Sequence, residues 1–301
     1  MTENIVKVID LVPGKVAPLT TVDASVLTQK MFQKEFLNKH IPVLIKGAAK
    51  HWRAVERWPE PGYLDALCAG EEVKMARKFN AATAHDYQLE TMKLRDCFAQ
   101  LRASADDTTY SIPATAIPEQ WTRDLGDHAF LGTLDQQPRS YPRDRIFIYR
   151  NASSEWHYHP FDETITTQVA GSKRFSLFRL TAGNWLPNSE LIESKAHHRP
   201  DGARAFPTDQ PLTKYESVLE AGDSVYIPPF WWHGVDTADT GIGYTLAHCF
   251  RTPVARLAAW QDPVTRRVFR QIAAKHKLAV PVALGLIGYS TLRRVMSGEK
   301  W

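Results

Sequence analysis

The sequence has little cysteine, no strong excess of charge and no long apolar run. Its 301 residues include three cysteines, Cys68, Cys97 and Cys249, which lie far apart and form no CxxC pair. This pattern excludes a regular disulfide framework and favours a reducing compartment. The formal net charge is only +4 and the basic residues are scattered, so no nucleic-acid-binding surface is indicated.

Targeting and membrane signals are also missing. The N-terminus "MTENIVKVIDLV" carries an early acidic residue and lacks the basic segment and apolar core of a secretion signal, so we predict a cytoplasmic protein. The most apolar run, "LAVPVALGLIGY" at 278–289, is too short to span a bilayer and is interrupted by Pro281 and Gly285. We therefore predict no membrane span and expect a docked terminal helix or a dimer contact.

The pattern of apolar residues divides the chain into three stretches. Residues 1–110 mix helical spacing with one strand-like run, "IPVLIKG", and predict an α/β lead-in. Residues 111–252 contain short alternating runs rich in aromatic and β-branched residues, which predict a barrel or jelly roll. These runs are "DRIFIYRN", "ETITTQVAG", "KRFSLFRL", "DSVYIPP" and "GIGYTLAHCF". Residues 253–301 return to helical spacing. The fold class predicted is mainly β with flanking helices.

One connection within the middle stretch is unusually long. It runs from about residue 186 to 220, is rich in proline, histidine and charge, and exceeds the length of an ordinary hairpin loop. Loops at the rim of a barrel shape access to its mouth. We expect this connection to select the substrate.

Two distant segments supply candidate metal ligands. "HYHPFDE" contains His157, His159 and Glu163, and "GDSVYIPPFWWHGV" contains His233. Residues two apart in a strand face the same way, so both histidines of the first segment would point into a barrel where His233 could meet them. Three imidazoles and a carboxylate suit a first-row transition metal. His248, in "YTLAHCF", could face either the interior or the outer core.

These segments resemble the two signature motifs of the cupin superfamily, read as HxHxxxE and as G-x5-P-x-F-x2-H. The resemblance implies a metal bound by the two histidines and the glutamate of the first motif and by the histidine of the second. In this chain those residues are His157, His159, Glu163 and His233. Where the family has a glycine two positions before the second tryptophan, this chain has Phe230.

A closer resemblance covers most of the chain. "IPVLIKGAAKHWRAVERW", "HYHPFDETITTQVAGSKRFSLF" and "AGDSVYIPPFWWHGV" are similar to JmjC-related, cupin-like hydroxylases of the asparaginyl-hydroxylase type. This implies a double-stranded β-helix barrel, iron(II) or another first-row divalent metal, 2-oxoglutarate and a homodimer formed through C-terminal helices. His157 and His233 keep their metal-binding roles. Lys173 falls where a lysine binds the far carboxylate of 2-oxoglutarate, and Ser154 and Tyr110 fall where hydroxyls assist it.

The chain departs from that group at the metal. Where the group has an aspartate it has His159, and it carries one extra residue between Glu163 and Gln168. A 2-oxoglutarate oxygenase needs three free positions on an octahedral metal, and four protein ligands would leave two. Either Glu163 stays outside the ligand set, which gives a three-histidine site, or 2-oxoglutarate is not bound in the usual way.

The leading hypothesis is a cupin-fold iron(II)/2-oxoglutarate oxygenase in which His157, His159 and His233 form the catalytic centre. The alternative is a metal-dependent cupin that acts without 2-oxoglutarate, as a dioxygenase, oxidase or isomerase, through three histidines and one glutamate. A third hypothesis is a cupin that binds a metal or small molecule without turnover. Under the leading hypothesis we expect a small-molecule or protein substrate.

Overall fold

A computed structural model describes residues 7–68, 70–77, 88–104, 109–132, 144–159, 163–179 and 212–250, together with seven isolated positions between 274 and 296. The described residues form a mainly β fold with short flanking helices, as predicted. The strands are β1 Lys15–Pro18, β2 Thr21–Asp23, β3 Val43–Lys46, β4 Glu72–Arg77, β5 Gln88–Lys93, β6 Tyr110–Ala116, β7 Asp144–Arg150, β8 Ser154–His157, β9 Glu163–Ala170, β10 Lys173–Arg179, β11 Thr213–Leu219, β12 Ser224–Ile227, β13 Trp231–Thr237 and β14 Gly243–Phe250.

The helical elements are short except for one. They are α1 Gln29–Met31, which continues as a π-helical turn Phe32–Leu37, then α2 Arg53–Arg57, α3 Tyr63–Ala66 and α4 Leu94–Ala103, with 3-10 turns at Val8–Leu11 and Glu119–Asp124. In α4 the buried residues Leu94, Cys97, Phe98 and Leu101 recur three and four apart, as expected for a helix with one apolar face. This face packs against the larger sheet.

The strands form two sheets. The five-stranded sheet has the order β1-β11-β10-β13-β8, and the nine-stranded sheet has the order β2-β3-β12-β9-β14-β7-β6-β4-β5. Phe175 and Val235 of the smaller sheet share a buried cluster with Leu44 and Val225 of the larger one. The two sheets therefore face each other, as in a jelly roll. We call the sides that meet the inner faces.

The inner face of the larger sheet becomes polar along β9. Thr166 is the Cα partner of Val225, so it lies on the inner face, and alternation puts Thr164 and Gln168 beside it. All three side chains are at most 9% exposed. The residues between them point to the other side, and Val169, for example, belongs to the apolar cluster that covers the outer face. A polar strip buried between two sheets is a suitable place for a functional site.

Most of the predicted strands are present. The five quoted runs of the middle stretch correspond to β7, β9, β10, β12 and β14, and "IPVLIKG" contains β3. The prediction that 186–220 is a continuous connection is wrong at its C-terminal end, because residues 213–219 form β11 between β1 and β10. The run "TKYESVL" is partly exposed and rich in polar residues, so its sequence resembles a loop and did not indicate a strand. Residues 186–211 lie outside the described part of the chain.

The C-terminal stretch is described at seven positions only. Six of them are helical, and Leu278, Leu292 and Met296 are among the exposed large apolar residues. The homodimer through C-terminal helices and the three domain boundaries stay predictions. Within the described residues, no helix has the length and apolar character that crossing a membrane requires.

Candidate metal centre

Three histidines meet at one end of the space between the sheets. His157 ends β8 and is the Cα partner of His233 in β13, and His159 follows two residues later. The ring centroid of His157 lies 4.0 Å from that of His233 and 5.2 Å from that of His159, and the last two are 4.9 Å apart. One ring nitrogen from each lies within 4.8 Å of the others. This spacing allows all three to bind one metal ion.

The turn that leads into β13 holds the backbone of His159. β12 ends at Ile227, and Phe230 has a φ of 60°, in the left-handed region that glycine occupies without strain. Its backbone N–H donates to the carbonyl oxygen of His159 at 3.0 Å. The residue that replaces the family glycine is therefore in the conformation that favours glycine. This bond connects His159 directly to the start of the strand that carries His233.

Hydrogen bonds at Nδ1 orient two of the imidazoles. His233 Nδ1 lies 3.0 Å from the carbonyl oxygen of Trp231, which can only accept, so Nδ1 carries the proton and the Nε2 lone pair is available. His159 Nδ1 lies 3.0 Å from the hydroxyl of Thr164. If His159 binds a metal through Nε2, its Nδ1–H must donate to Thr164. Such outer hydrogen bonds fix the orientation of a metal-binding imidazole.

Thr164 belongs to a longer row of polar contacts on the inner face. Its hydroxyl lies 3.8 Å from the thiol sulfur of Cys249, and a guanidinium N–H of Arg145 donates to that sulfur at 3.2 Å. Arginine can only donate, so it leaves the sulfur as the acceptor of that bond. The row extends from β7 through β14 and β9 to His159. It connects the metal centre to the larger sheet.

Burial keeps the central imidazole neutral. His233 is 3% exposed, and burial together with the nearby His157 and His159 holds its pKa well below the usual 6.5. A neutral imidazole presents a lone pair at physiological pH, which a metal ion requires. Three nitrogen ligands suit a first-row transition metal better than calcium or magnesium, which prefer oxygen. The donor set therefore fits the metal that the family resemblance implies.

Glu163 lies on the other side of its strand. It is fully buried, and its carboxylate accepts a hydrogen bond of 2.7 Å from the hydroxyl of Tyr226. Tyr226 belongs to another apolar cluster on the outer face, together with Ile165, whereas Thr164, the next residue after Glu163, contacts His159. Adjacent strand residues point to opposite faces. As a fourth ligand, Glu163 stays a prediction that this geometry disfavours.

Lys173 lies further along the inner face from the histidines. Lys173 begins β10, and Leu177 of the same strand is the Cα partner of His233. The four residues between Lys173 and Leu177 correspond to a separation of roughly 13 Å along the strand. Lys173 is 6% exposed, and its Nζ lies 3.7 Å from the ring centroid of Tyr149 in the facing sheet. Burial lowers the pKa of Lys173 to about 7.

The wall around Lys173 is hydrogen-bonded. The hydroxyl of Tyr149 accepts from the side-chain amide of Gln168 at 2.6 Å and from the hydroxyl of Thr245 at 3.2 Å. Burial raises the pKa of Tyr149, so its ring stays a neutral surface against the ammonium. Within the part of the chain that the structure describes, the side-chain ammonium of Lys173 forms no hydrogen bond or ion pair.

Ser154 and Tyr110, whose hydroxyls were predicted to assist 2-oxoglutarate binding, lie on different faces of their sheets. Ser154 is the Cα partner of Val235, whose side chain lies in the inner cluster, so Ser154 belongs to the same side of its sheet as His233. Tyr110 packs against the cluster on the outer face of the larger sheet. Its neighbour Ser111 is the Cα partner of Tyr149 and therefore points to the inner face. The structure therefore does not bring Tyr110 to the histidines or to Lys173.

Sequence reasoning missed several residues that surround the predicted site. Thr164 and Gln168 occupy alternate positions of "ETITTQVAG", and the polar residues that recur at every second position of this strand were the available signal. Arg145 and Tyr149 alternate in the same way in "DRIFIYRN". No signal near the histidine motifs points to Thr245. It reaches the site because β14 pairs with both β7 and β9.

Comparisons with known proteins agree with this architecture. Jumonji C domain-containing protein 5 of Drosophila melanogaster is 26% identical over 234 residues, which cover 68% of this chain and 53% of that protein. Lysine-specific demethylase JMJ30 of Arabidopsis thaliana is 25% identical over 69% of this chain and 50% of its own length. tRNA wybutosine-synthesizing protein 5 of Gallus gallus is 22% identical over 72% and 73%, respectively.

The chain thus spans about half the length of the first two of these relatives. The family model of the cupin-like domain matches residues 28–247, which include the three histidines, Lys173 and most strands of both sheets. That match covers well over half of the sequence. The protein belongs to the cupin-like domain family, within the cupin and JmjC superfamily.

Proposed function

We propose that the protein is a metal-dependent oxygenase that uses iron(II) and 2-oxoglutarate to oxidise an organic substrate. The observation that carries this proposal is Lys173, a buried ammonium between the sheets with no anionic partner among the described residues. A buried charge without a partner is costly and is retained where function requires it. A carboxylate bound at this position would supply that partner.

Lys173 and the histidines are arranged for a bifunctional anion. The two groups share the same inner space and are separated by about four residues of strand. A five-carbon dicarboxylate bound to a metal at the histidines would extend along this inner space towards the side chain of Lys173. The ammonium would bind the distant carboxylate by a charge-assisted hydrogen bond, and the Tyr149 ring would shield that bond from water.

A three-histidine centre leaves enough room on the metal. With Glu163 on the outer face, three positions of an octahedral ion stay open for two cosubstrate oxygens and dioxygen. Iron(II), when bound, supplies the redox chemistry with dioxygen. The protein's own residues hold the ion, orient His159 through Thr164 and exclude bulk water around Lys173.

The relatives support oxidation as the reaction class. Their names include a lysine-specific demethylase from Arabidopsis and a bifunctional arginine demethylase and lysyl-hydroxylase from Caenorhabditis elegans, the latter 24% identical over 76% of this chain. We infer a small-molecule or protein substrate. We also retain the proposals of a cytoplasmic protein and of a homodimer formed through the C-terminal helices.

One observation favours a second candidate function. His159 stands where the related oxygenases have an aspartate, so the proposed ligands are all neutral. An ion held by three neutral ligands keeps its full positive charge and binds anions and dioxygen differently from one held by a carboxylate. A metal-dependent cupin that acts directly on an anionic substrate, without 2-oxoglutarate, would use Lys173 to bind that substrate.

His159→Asp separates the two functions. In a 2-oxoglutarate oxygenase this change restores the aspartate of the related enzymes, so the protein should keep or increase its conversion of 2-oxoglutarate to succinate in the presence of iron(II) and dioxygen. The measurement is succinate formed per protein, with metal content determined in the same samples. Wild-type and His159→Asp proteins that both bind iron and form no succinate would contradict the oxygenase proposal and favour the second function.

A further inference from the structure

A cavity lies outside the histidine centre. Its volume is about 410 Å³, within the size range of small-molecule sites. Its lining residues come from the residue before α2, from the β6–β7 connection, from the start of β7 and from the C-terminal half of β14. Its aromatic, acidic and glycine lining includes Trp52, Gly126, Asp127, His128, Asp144 and His248.

This cavity is on the outer side of the larger sheet. His248 and Asp144 are Cα partners and make a contact of 2.6 Å, while their neighbours Cys249 and Arg145 contact each other on the inner side. Leu246, also in the lining, belongs to the outer apolar cluster. The sheet therefore separates the cavity from the metal centre. His248 faces the outer core, which settles the alternative left open by the sequence.

The cavity contains a buried hydrogen-bond donor that the described residues do not satisfy. Trp52 is 5% exposed, and its indole Nε1 has no hydrogen-bond partner among them. A buried N–H without an acceptor is unfavourable, so it indicates that a ligand atom or another group supplies the acceptor. The indole packs edge-on against His128, with 4.9 Å between the ring centroids, so the ring is fixed and the donor is held in a defined direction.

Gly126 leaves the approach to that donor open. A Cβ at this position would lie 2.6 Å from Cδ1 and 2.8 Å from Nε1 of Trp52. Such distances are too short for any side chain, so only glycine lets the backbone pass this close to the indole. Gly126 is itself exposed and lines the cavity. An acceptor that enters the cavity along Gly126 could reach the Trp52 N–H.

The described part of the lining has acidic side chains, one of which, Asp144, already contacts His248. It contains the carboxylates of Asp127 and Asp144 and, among the described residues, no lysine or arginine. Asp144 contacts Nδ1 of His248, so it is held in place at the cavity wall. A metal ion does not fit this lining, because the histidine centre is the one group of three potential ligands that lie close enough together within the described residues.

We propose that this cavity binds a small organic cation that also carries a carbonyl group. The cationic group lies against the carboxylates of Asp127 and Asp144, and the carbonyl oxygen accepts from Trp52 Nε1 beside Gly126. His128 forms an aromatic wall and is held by a contact of 2.9 Å between its Nε2 and the hydroxyl of Thr167. Two opposed recognition groups, one acidic and one donating, define this class of ligand.

A matched pair of probes tests the charge requirement. Nα-acetyl-arginine methylamide carries a guanidinium and carbonyl groups, and the citrulline analogue has nearly the same shape without the charge. Isothermal titration calorimetry of the full-length protein should show that the arginine probe binds at least about tenfold more tightly than the citrulline probe. Equal affinities, or no saturation of the arginine probe below about 10 mM, would overturn the proposal.

Variants then locate the binding site. Gly126→Ala should weaken the arginine probe about tenfold by obstructing the indole, and Trp52→Phe should weaken it by removing the donor. Gly288→Ala, at a helical glycine with open space around it, is the matched control and should change nothing. Asp127→Asn should reduce the preference for arginine over citrulline. Unchanged affinity in folded Gly126→Ala and Trp52→Phe proteins would contradict the assignment.

The proposal is independent of the metal centre. His233→Ala changes the proposed metal site on the other side of the sheet and should leave the affinity for the arginine probe unchanged, with circular dichroism used to verify the fold. Loss of probe binding in a folded His233→Ala protein would mean that the cation binds between the sheets, which would refute this site.

Discussion

The two ends of the space between the sheets differ in how far they follow the family pattern. At the histidine end, His159 replaces an aspartate, Phe230 replaces a glycine, and Glu163 points to the outer face. At the lysine end, Lys173 keeps its position over the Tyr149 ring. The comparison teaches that this chain can match the family pattern at Lys173 while it departs from that pattern at the proposed metal ligands. Changes at the histidine end should alter metal binding, whereas changes at Lys173 should alter 2-oxoglutarate binding and leave the metal in place.

The largest effect is expected from removing a metal ligand. His157→Ala or His233→Ala leaves two imidazoles and should abolish stoichiometric metal binding, because each change removes one of three proposed donors. Metal content after dialysis, measured by mass spectrometry, tests this. His51→Ala, at an exposed histidine, is the control and should keep its metal. A His233→Ala protein that retains one metal ion per chain would contradict the proposed centre.

The strands at this site were easier to predict from sequence than the side chains around them. The HxH spacing and the distant "PPFWWH" segment predicted that His157, His159 and His233 meet, although only His157 and His233 lie in strands and His159 follows the end of β8. Adjacent residues of a strand point to opposite faces, and this rule, applied from the start of β9, would have placed Glu163 and Thr164 on opposite faces. Its use needed the register of β9 against β12, which depends on pairing between residues far apart in sequence.

Tyr110 illustrates the same limit. A tyrosine near the start of β6 has a hydroxyl of the right chemistry, yet a shift of one residue puts Ser111 on the inner side instead. Similarly, β11 was hidden because its exposed, charged run resembles a loop until β10 pairs with it. What the sequence lacked in both cases was the register of long-range pairing.

The second largest effect is expected at the other end of the space. Lys173→Met should weaken 2-oxoglutarate binding about a hundredfold, because it removes a buried charge-assisted hydrogen bond, and should leave metal content unchanged. Equilibrium binding to the metal-loaded protein without oxygen is the measurement. The matched control is Lys46→Met, which changes a half-exposed lysine that pairs with Asp223 away from the inner space. Unchanged affinity in Lys173→Met would remove the main support for 2-oxoglutarate.

The depressed pKa of Lys173 also predicts a pH dependence. In the folded protein without cosubstrate the pKa is about 7, whereas an unfolded lysine titrates near 10.4, so the unfolded state binds more protons between these values. The protein without cosubstrate should therefore become more stable as pH rises from 7 towards 10, and Lys173→Met should lose this slope. Urea unfolding at several pH values measures it.

Cosubstrate affinity should change in the opposite direction. A bound carboxylate raises the pKa of Lys173, so binding takes up a proton above pH 7 and the dissociation constant should increase with pH there, by up to about tenfold per unit. Below pH 7 the lysine is already charged and its contribution to the pH dependence should vanish. A dissociation constant that does not vary between pH 7 and 9 would contradict the role of Lys173.

A smaller effect is expected from the hydrogen bond that orients His159. Thr164→Val keeps the shape of the side chain and removes the hydroxyl that contacts Nδ1, so metal affinity should decrease about tenfold while the fold is kept. Thr166→Val, on the same face two residues further on, is the matched control and should have little effect. Competition with a coloured chelator gives both affinities. Equal metal affinities in the two variants would show that the Thr164 hydroxyl does not orient His159 for metal binding.

The smallest effect is expected at Glu163. Glu163→Gln preserves an acceptor for the Tyr226 hydroxyl, so metal affinity should change less than about threefold and stability by about 1 kcal/mol or less. The same chelator competition and a thermal unfolding curve are the measurements. A large loss of metal would show that Glu163 reaches the metal after all, and would leave only two open positions on it.

The central claim is that a neutral three-histidine centre and Lys173 bind 2-oxoglutarate together. The most direct measurement is an anaerobic titration of the iron(II)-loaded protein with 2-oxoglutarate, followed by visible absorption, in wild-type and Lys173→Met proteins. We predict a saturable charge-transfer band at about one equivalent in the wild type, and a band that requires far more 2-oxoglutarate in the variant. An iron-loaded wild-type protein that develops no band at any concentration would contradict the claim.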